Sequence, residues 1–155
     1  SNFKLAAVPL FLALKIPAAQ VHRILTERGE EIAVQQAEAE ICRIASLNNR
    51  GQPILDLVLL GMGEDGHVAS LFPGDAEALE SKTVYCAVTG PKPPPRRITL
   101  GFPALIAARE VWVLVSGQGK AEALRASLLE AGTTPLAKVL QSRTHTEIFT
   151  DFDLE

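Results

Sequence analysis

The stretch "ILDLVLLGMGEDGHVAS", Ile54 to Ser70, is where the fold of this chain is decided. Its first half is short and almost wholly apolar, which suits a strand covered on both faces in a parallel sheet better than one with a wet face. Its second half places Gly61, Gly63, Gly66, two carboxylates and His67, one of only 3 histidines, directly after that strand. In an open parallel sheet ligands bind beyond the carboxyl ends of the strands, so chemistry is expected here. Glycines at such a point let the backbone approach a ligand, and the amides of the turn are able to face an anion or a carbonyl oxygen. Two readings of these residues stand open. In one, Asp65 and His67 share a small acid–base site. In the other, Asp-Gly is an ordinary turn pair, Asp65 caps a helix starting at Gly66, and His67 is a solvated first-turn residue.

Outward from this stretch, strands and helices alternate. Upstream, Ser1 and Asn2 are N-cap residues for "FKLAAVPLFLALKI", which is apolar enough for a buried helix that Pro9 ends or kinks. "IPAAQVHRIL" reads as a connecting element. From Glu30 to Leu47, Ile32, Ala33, Ala37, Ile41, Ile44 and Ala45 recur at helical spacing among Glu, Gln and Arg, the pattern of an amphipathic helix, which "NNRGQP" then stops. Downstream, "LFPGDAEALESK" combines a turn with a short helix, and "TVYCAVTG" has strand composition. "PKPPPRR" is a stiff loop, because consecutive prolines lack donors and fix φ. "ITLGFPALIAARE" suggests a helix entered near Pro103, "VWVLVSG" a second buried strand, and "KAEALRASLLEAG" a helix closed by Gly132. A last strand falls near "THTEIFTDF". The alternation predicts an α/β fold, a mostly parallel sheet with helices on both faces.

The 155 residues fit a single domain, and 47% hydrophobic with 21% charged content is the balance of a globular protein with a real core. A net charge of −3 with interleaved signs offers no basic stripe for nucleic acid or an acidic membrane. Any anionic ligand must therefore find positive charge gathered locally. No apolar run approaches bilayer length, so no membrane partner is expected. Cys42 and Cys86 have neither metal-ligand spacing nor disulfide density, which reads as reduced packing thiols in a cytoplasmic setting.

"LDLVLLGMGEDGHVASLFPG", Leu55 to Gly74, resembles the signature of the 6-phosphogluconolactonase family, and further pieces agree in order: "SNFKLA", "PKPPPRRITL", "PALIAARE" and "VLVSGQGKAEAL". The resemblance covers most of the chain. It implies a Rossmann-like domain shared with glucosamine-6-phosphate deaminases, a small-molecule sugar-phosphate lactone as substrate, and hydrolysis of that lactone without metal or organic cofactor. Carried onto this sequence, it implies that His67 is the general base, with Asp65 positioning the imidazole or the sugar, and that Lys120 binds phosphate. Lys120 also falls at the start of an expected helix, where the dipole disfavours a cation unless an anion is present. Arg97, after the proline loop, is a second phosphate candidate through bidentate contact, with a surface charge as its other reading. Loop amides around Gly61, Gly63 and Gly66 are the candidate oxyanion donors. His22 and His145 read as surface or structural histidines, and Lys92 as a bystander.

Some departures qualify the resemblance. The family's early strand, its phosphate-binding turn and an acidic–arginine loop precede the "SN" segment and have no match here, so an incomplete sheet with an exposed edge and a tendency to self-associate is expected. Gly101 stands where a hydroxyl residue is usual. Two rival functions follow: a glucosamine-6-phosphate deaminase-like isomerase, disfavoured because "VASLFPG" holds no acid before Asp75, and a catalytically inactive sugar-phosphate-binding module.

Overall fold

A computed structural model of the chain describes residues 2–154. In order, its elements are helix α1 (Asn2–Ala6), helix α2 (Glu30–Ile44), strand β1 (Leu57–Gly61), helix α3 (Ala76–Glu80), strands β2 (Tyr85–Thr89) and β3 (Arg96–Leu100), helix α4 (Phe102–Ala107), strand β4 (Glu110–Val115), helices α5 (Ala121–Leu128) and α6 (Pro135–Gln141), and strand β5 (Glu147–Thr150). No helix among the described residues is long and apolar enough to cross a membrane.

The parallel sheet has the order β1-β4-β5. Leu59 lies opposite Trp112, Leu60 opposite Val113, and Leu114 opposite Phe149. Because side chains alternate across a strand, this register sorts the sheet into two faces. Val58, Leu60, Val111, Val113 and Val115 form the inner face, packed with Phe102 and Leu105 of α4, Leu124 of α5, and Leu136 and Val139 of α6. The other face carries Leu57, Leu59, Leu114 and Phe149, which are 40–55% exposed, and Trp112, edge-on to Phe149 at 5.5 Å. The apolar run therefore marks a parallel strand as expected, yet among the described residues helices cover one face of this sheet and not both.

Four other local readings change. The segment after "SN" is helical, but it widens from α1 into a π-helical stretch over Ala7–Leu12 that contains Pro9. A proline lacks the amide for the regular ladder and its ring crowds the preceding turn, which a wider turn relieves. That segment is not buried: Leu5, Val8, Leu12 and Leu14 are all at least 65% exposed. The proposed Ser1 cap lies outside the described residues. "RRITL" is not loop and helix entry but strand β3, antiparallel to β2 in a separate two-stranded sheet. The helix after Lys120 ends at Leu128, before Gly132, and "PLAKVLQ", not predicted at all, forms α6 behind the cap Thr134. The departure at Gly101 has a steric basis, since a Cβ there would lie 2.5 Å from the Thr83 carbonyl oxygen.

The last carbonyls of α4 lack intrahelical partners, and Arg143, just past α6, supplies them. Its Nη1 donates to the carbonyls of Leu105 (3.1 Å), Ile106 (2.8 Å) and Ala108 (2.7 Å), and its Nη2 to that of Arg109 (3.1 Å). One guanidinium thus fastens α6 to α4 and to the entry of β4. Arg143→Met strands those carbonyls and is expected to lower unfolding free energy by about 2–3 kcal/mol in urea titration, with Arg143→Lys intermediate because a single ammonium reaches fewer of them.

Candidate active site

The chain leaves β1 at Gly61 and closes a tight turn in which Met62 bridges Val68. Gly63 N–H donates to the His67 carbonyl at 2.9 Å and Gly66 N–H to the Gly63 carbonyl at 3.0 Å. Asp65 Oδ1 accepts from the His67 amide at 3.2 Å and lies 2.5 Å from His67 Nδ1. No helix starts at Gly66; the next, α3, begins at Ala76 behind its own cap, Asp75. Of the two readings open in the sequence, the turn is thus the one that pairs acid and imidazole. An ionised carboxylate only accepts, so Nδ1 carries the proton and, in the neutral ring, Nε2 is the basic nitrogen.

Two glycines make this geometry. The imidazole and carboxylate sit over the α-carbon of Gly63, where a Cβ would come 2.7 Å from Asp65 Oδ1 and closer still to the ring. Gly66 holds φ at +77°, a conformation glycine adopts without the penalty other residues carry. Burial, the largest influence on Asp65, pushes its carboxyl up, but the hydrogen bonds from the His67 ring and amide and the charge of the ring outweigh it. The net result is a carboxyl held below its ordinary value.

The pair opens onto a cavity of about 480 Å³. Lys92, Arg97 and Lys120 line it together with Glu64, Asp65 and His67. Here is the local positive charge that an acidic chain must gather for an anion. Arg97 reaches it because Arg97 and Thr99 share one face of β3, and buried Thr99 accepts the Ser70 amide at 3.0 Å, seating that face against the His67 turn. Its Nε donates to the Pro94 carbonyl and its Nη2 to that of Lys92, both at 3.0 Å. Nη1 is left without a protein partner among the described residues. Arg96, one residue earlier, points the other way and pairs with Glu30 at 2.6 Å. Phe72 stands between base and guanidinium, 4.6 Å from the His67 ring and 5.3 Å from the Arg97 guanidinium carbon.

Lys120 is the N-cap of α5, at the end of the loop Ser116–Gly119. Asp151, just past β5, shapes that loop: its Oδ2 accepts from the Ser116 hydroxyl at 2.6 Å and its Oδ1 from the Gly117 amide at 2.9 Å. Those two bonds, with the nearby Lys120 charge, hold the Asp151 carboxyl below its usual range.

The sequence thus brought Asp65, His67, Gly63, Arg97 and Lys120 to one place. Gly61 instead ends β1 and Gly66 packs against Thr134; neither lines the cavity. The amides of Gly63 and Gly66 are consumed inside the turn, so they do not face a ligand. Lys92 is not a bystander, since it lines the cavity. Glu64, Phe72 and Asp151 were missed. Glu64 and Phe72 gave a signal, their place inside the motif; Asp151 acts through contacts distant in the chain. His22 and His145 pair with Glu40 and Glu147 away from the site. Among the described residues, no group of three His, Cys, Asp or Glu could hold a metal. A larger concavity of about 750 Å³ lies elsewhere, but Glu30, Glu31, Asp75 and Glu77 dominate it and its cation, Arg96, is already paired.

The family described as glucosamine-6-phosphate isomerases/6-phosphogluconolactonase matches residues 1–149. This chain belongs to that family. It is 40% identical over 144 residues to 6-phosphogluconolactonase 3, chloroplastic, of Arabidopsis thaliana, covering 88% of this chain and 44% of that protein. The 6-phosphogluconolactonase of Mycobacterium tuberculosis is 40% identical over 141 residues, covering 88% of this chain and 56% of that protein. The chain spans about half the length of these curated relatives. The crystal structure of 6-phosphogluconolactonase from Leishmania guyanensis superposes with a TM-score of 0.82 at 27% identity, over 97% of this chain and 65% of that one.

In this isomerase/lactonase family member, two substitutions test the turn. Gly63→Ala forces the ring and carboxylate off the α-carbon and is expected to cost about 1–3 kcal/mol in denaturant unfolding, and to move the His67 ring signals in NMR spectra. Asp65 has a lowered native pKa, so its contribution to stability is fully present above the ordinary carboxylate pKa and is lost as pH falls through the lowered value. Asp65→Asn, at this half-exposed site, is expected to cost no more than about 1 kcal/mol near neutrality, and the gap between variant and parent closes in acid.

Proposed function

We propose that the protein hydrolyses 6-phospho-D-glucono-1,5-lactone to 6-phosphogluconate, a reaction of the pentose phosphate pathway. One observation carries this reading: the Asp65–His67 pair and the cations Lys92, Arg97 and Lys120 line the same small cavity, so a base and a phosphate-binding edge face one molecule. His67 Nε2 takes a proton from water as its oxygen attacks C1. The C1–O5 bond of the tetrahedral intermediate then breaks, and the imidazolium returns the proton to the departing O5, leaving the open-chain acid. Lys120 and Arg97 hold the phosphate by charge-assisted contacts. The Gly63 and Gly66 amides are committed inside the turn, and the charge of the cationic rim favours the oxyanion. The names of the curated relatives favour the lactonase over the isomerase branch of the family, as does the absence of a carboxylate in Val68–Gly74. The free thiols Cys42 and Cys86 agree with a reducing, cytoplasmic setting.

The second reading, a sugar-phosphate-binding module without catalysis, draws on the bare sheet face. Hydrolysis above the spontaneous rate separates the two, since both bind 6-phosphogluconate. His67→Ala is expected to reduce the catalysed rate by about 10²–10⁴-fold, and a chain whose rate ignores that substitution is not a lactonase of this design. Lys120→Met is expected to raise KM by about tenfold or more with a smaller change in kcat, because the phosphate contact is made in ground and transition states alike.

A further inference from the structure

Outside the cavity, one contact reaches the acid–base turn from behind. Gly66, between Asp65 and His67, presses its α-carbon on Thr134, where a Cβ would lie 2.7 Å from Thr134 Cβ and 2.8 Å from its Cγ2. Thr134 caps α6, whose first residue, Pro135, has no amide to offer. The Ala137 amide goes back to Thr134 Oγ1 at 3.0 Å. The Leu136 amide goes instead to the Gly66 carbonyl at 3.1 Å, so an otherwise orphaned donor of α6 grips the catalytic turn.

The link continues. Ser127, buried in α5, donates its hydroxyl hydrogen to the Ala123 carbonyl at 2.7 Å. It therefore accepts in its 2.6 Å contact with Thr134, and the Thr134 hydroxyl is the donor. Helix α5 begins directly after Lys120. A single threonine thus touches the turn that carries His67 and ties it, through Ser127, to the helix that carries the cation.

We propose that Thr134 is a positioning residue: its hydroxyl fastens α5 to α6, which holds the turn at the Gly66 carbonyl, and so sets the His67 imidazole relative to Lys120. It touches no reacting atom, and its effect on rate rests on the lactonase reading above. Thr134→Val keeps the shape and removes the hydroxyl; Thr134→Ser keeps the hydroxyl. Both are compared with the parent chain for kcat and KM on 6-phosphogluconolactone. Both are also examined for the His67 ring carbon–proton NMR signal, assigned by its loss in His67→Ala among the 3 histidines.

The expected result is that Thr134→Val, folded by circular dichroism, loses between about tenfold and a hundredfold in kcat with little change in KM and displaces the His67 signal. Thr134→Ser restores both. If Thr134→Val does not fold, Ser127→Ala, which cuts the same link and leaves the α6 cap intact, is read in its place. A parent-like His67 signal in the hydroxyl-less variant overturns the proposal, whether or not the chain hydrolyses the lactone. So does equal loss in the valine and serine variants. A displaced signal in a chain without lactone hydrolysis supports the positioning role and removes the lactonase reading instead.

Discussion

A carboxylate and an imidazole seated on the bare α-carbon of one glycine is the contact on which the rest of the site is built. Asp65 and His67 are two residues apart, a spacing that does not by itself bring two side chains into contact. The Gly63-to-His67 turn does. Its own amides bind its own carbonyls, its one left-handed residue is Gly66, and its side chains close over Gly63 because nothing projects there. The cost is that the Gly63 and Gly66 amides are used up. The cavity adds electrostatic help for a developing negative charge with Lys92, Arg97 and Lys120.

Those cations are gathered from two separate stretches of a chain whose overall charge is −3. Arg97 is aimed by strand alternation and fixed by loop carbonyls and the Phe72 ring. Lys120 is placed by a loop that Asp151 holds with a hydroxyl and an amide. Arg97 and Lys120 thus arrive on braced supports, which lowers the ordering cost of binding a charged ligand. The larger acidic concavity near Arg96 lacks this arrangement and would repel the same ligand.

The scaffold behind the site is lopsided. Three helices seal the inner face of the β1-β4-β5 sheet, while Leu57, Leu59, Leu114 and Phe149 stand open on the other. Exposed apolar surface of this kind is ordinarily covered in a functioning protein. Stability therefore leans on the covered side, where Arg143 and the Ser127–Thr134 pair knit the helices together.

Much of this was legible in the order of residues. An apolar run ending in glycines marks a parallel strand and the place where ligands meet it, while motif spacing left open whether Asp65 and His67 pair or form an ordinary turn and cap, and the family resemblance favoured the pair. Helix α2 and strand β4 were equally plain from their periodicity. What the chain order left open were relations between distant segments: that "RRITL" is a strand whose alternation separates Arg97 from Arg96, that α6 exists and reaches back to Gly66, that Lys92 joins the cavity, and that one sheet face stays bare. Local sequence dictates which conformations a segment prefers and which groups need partners. Which partner arrives is settled by packing, because hydrogen bonds and apolar contacts between residues far apart form only once the whole core has closed.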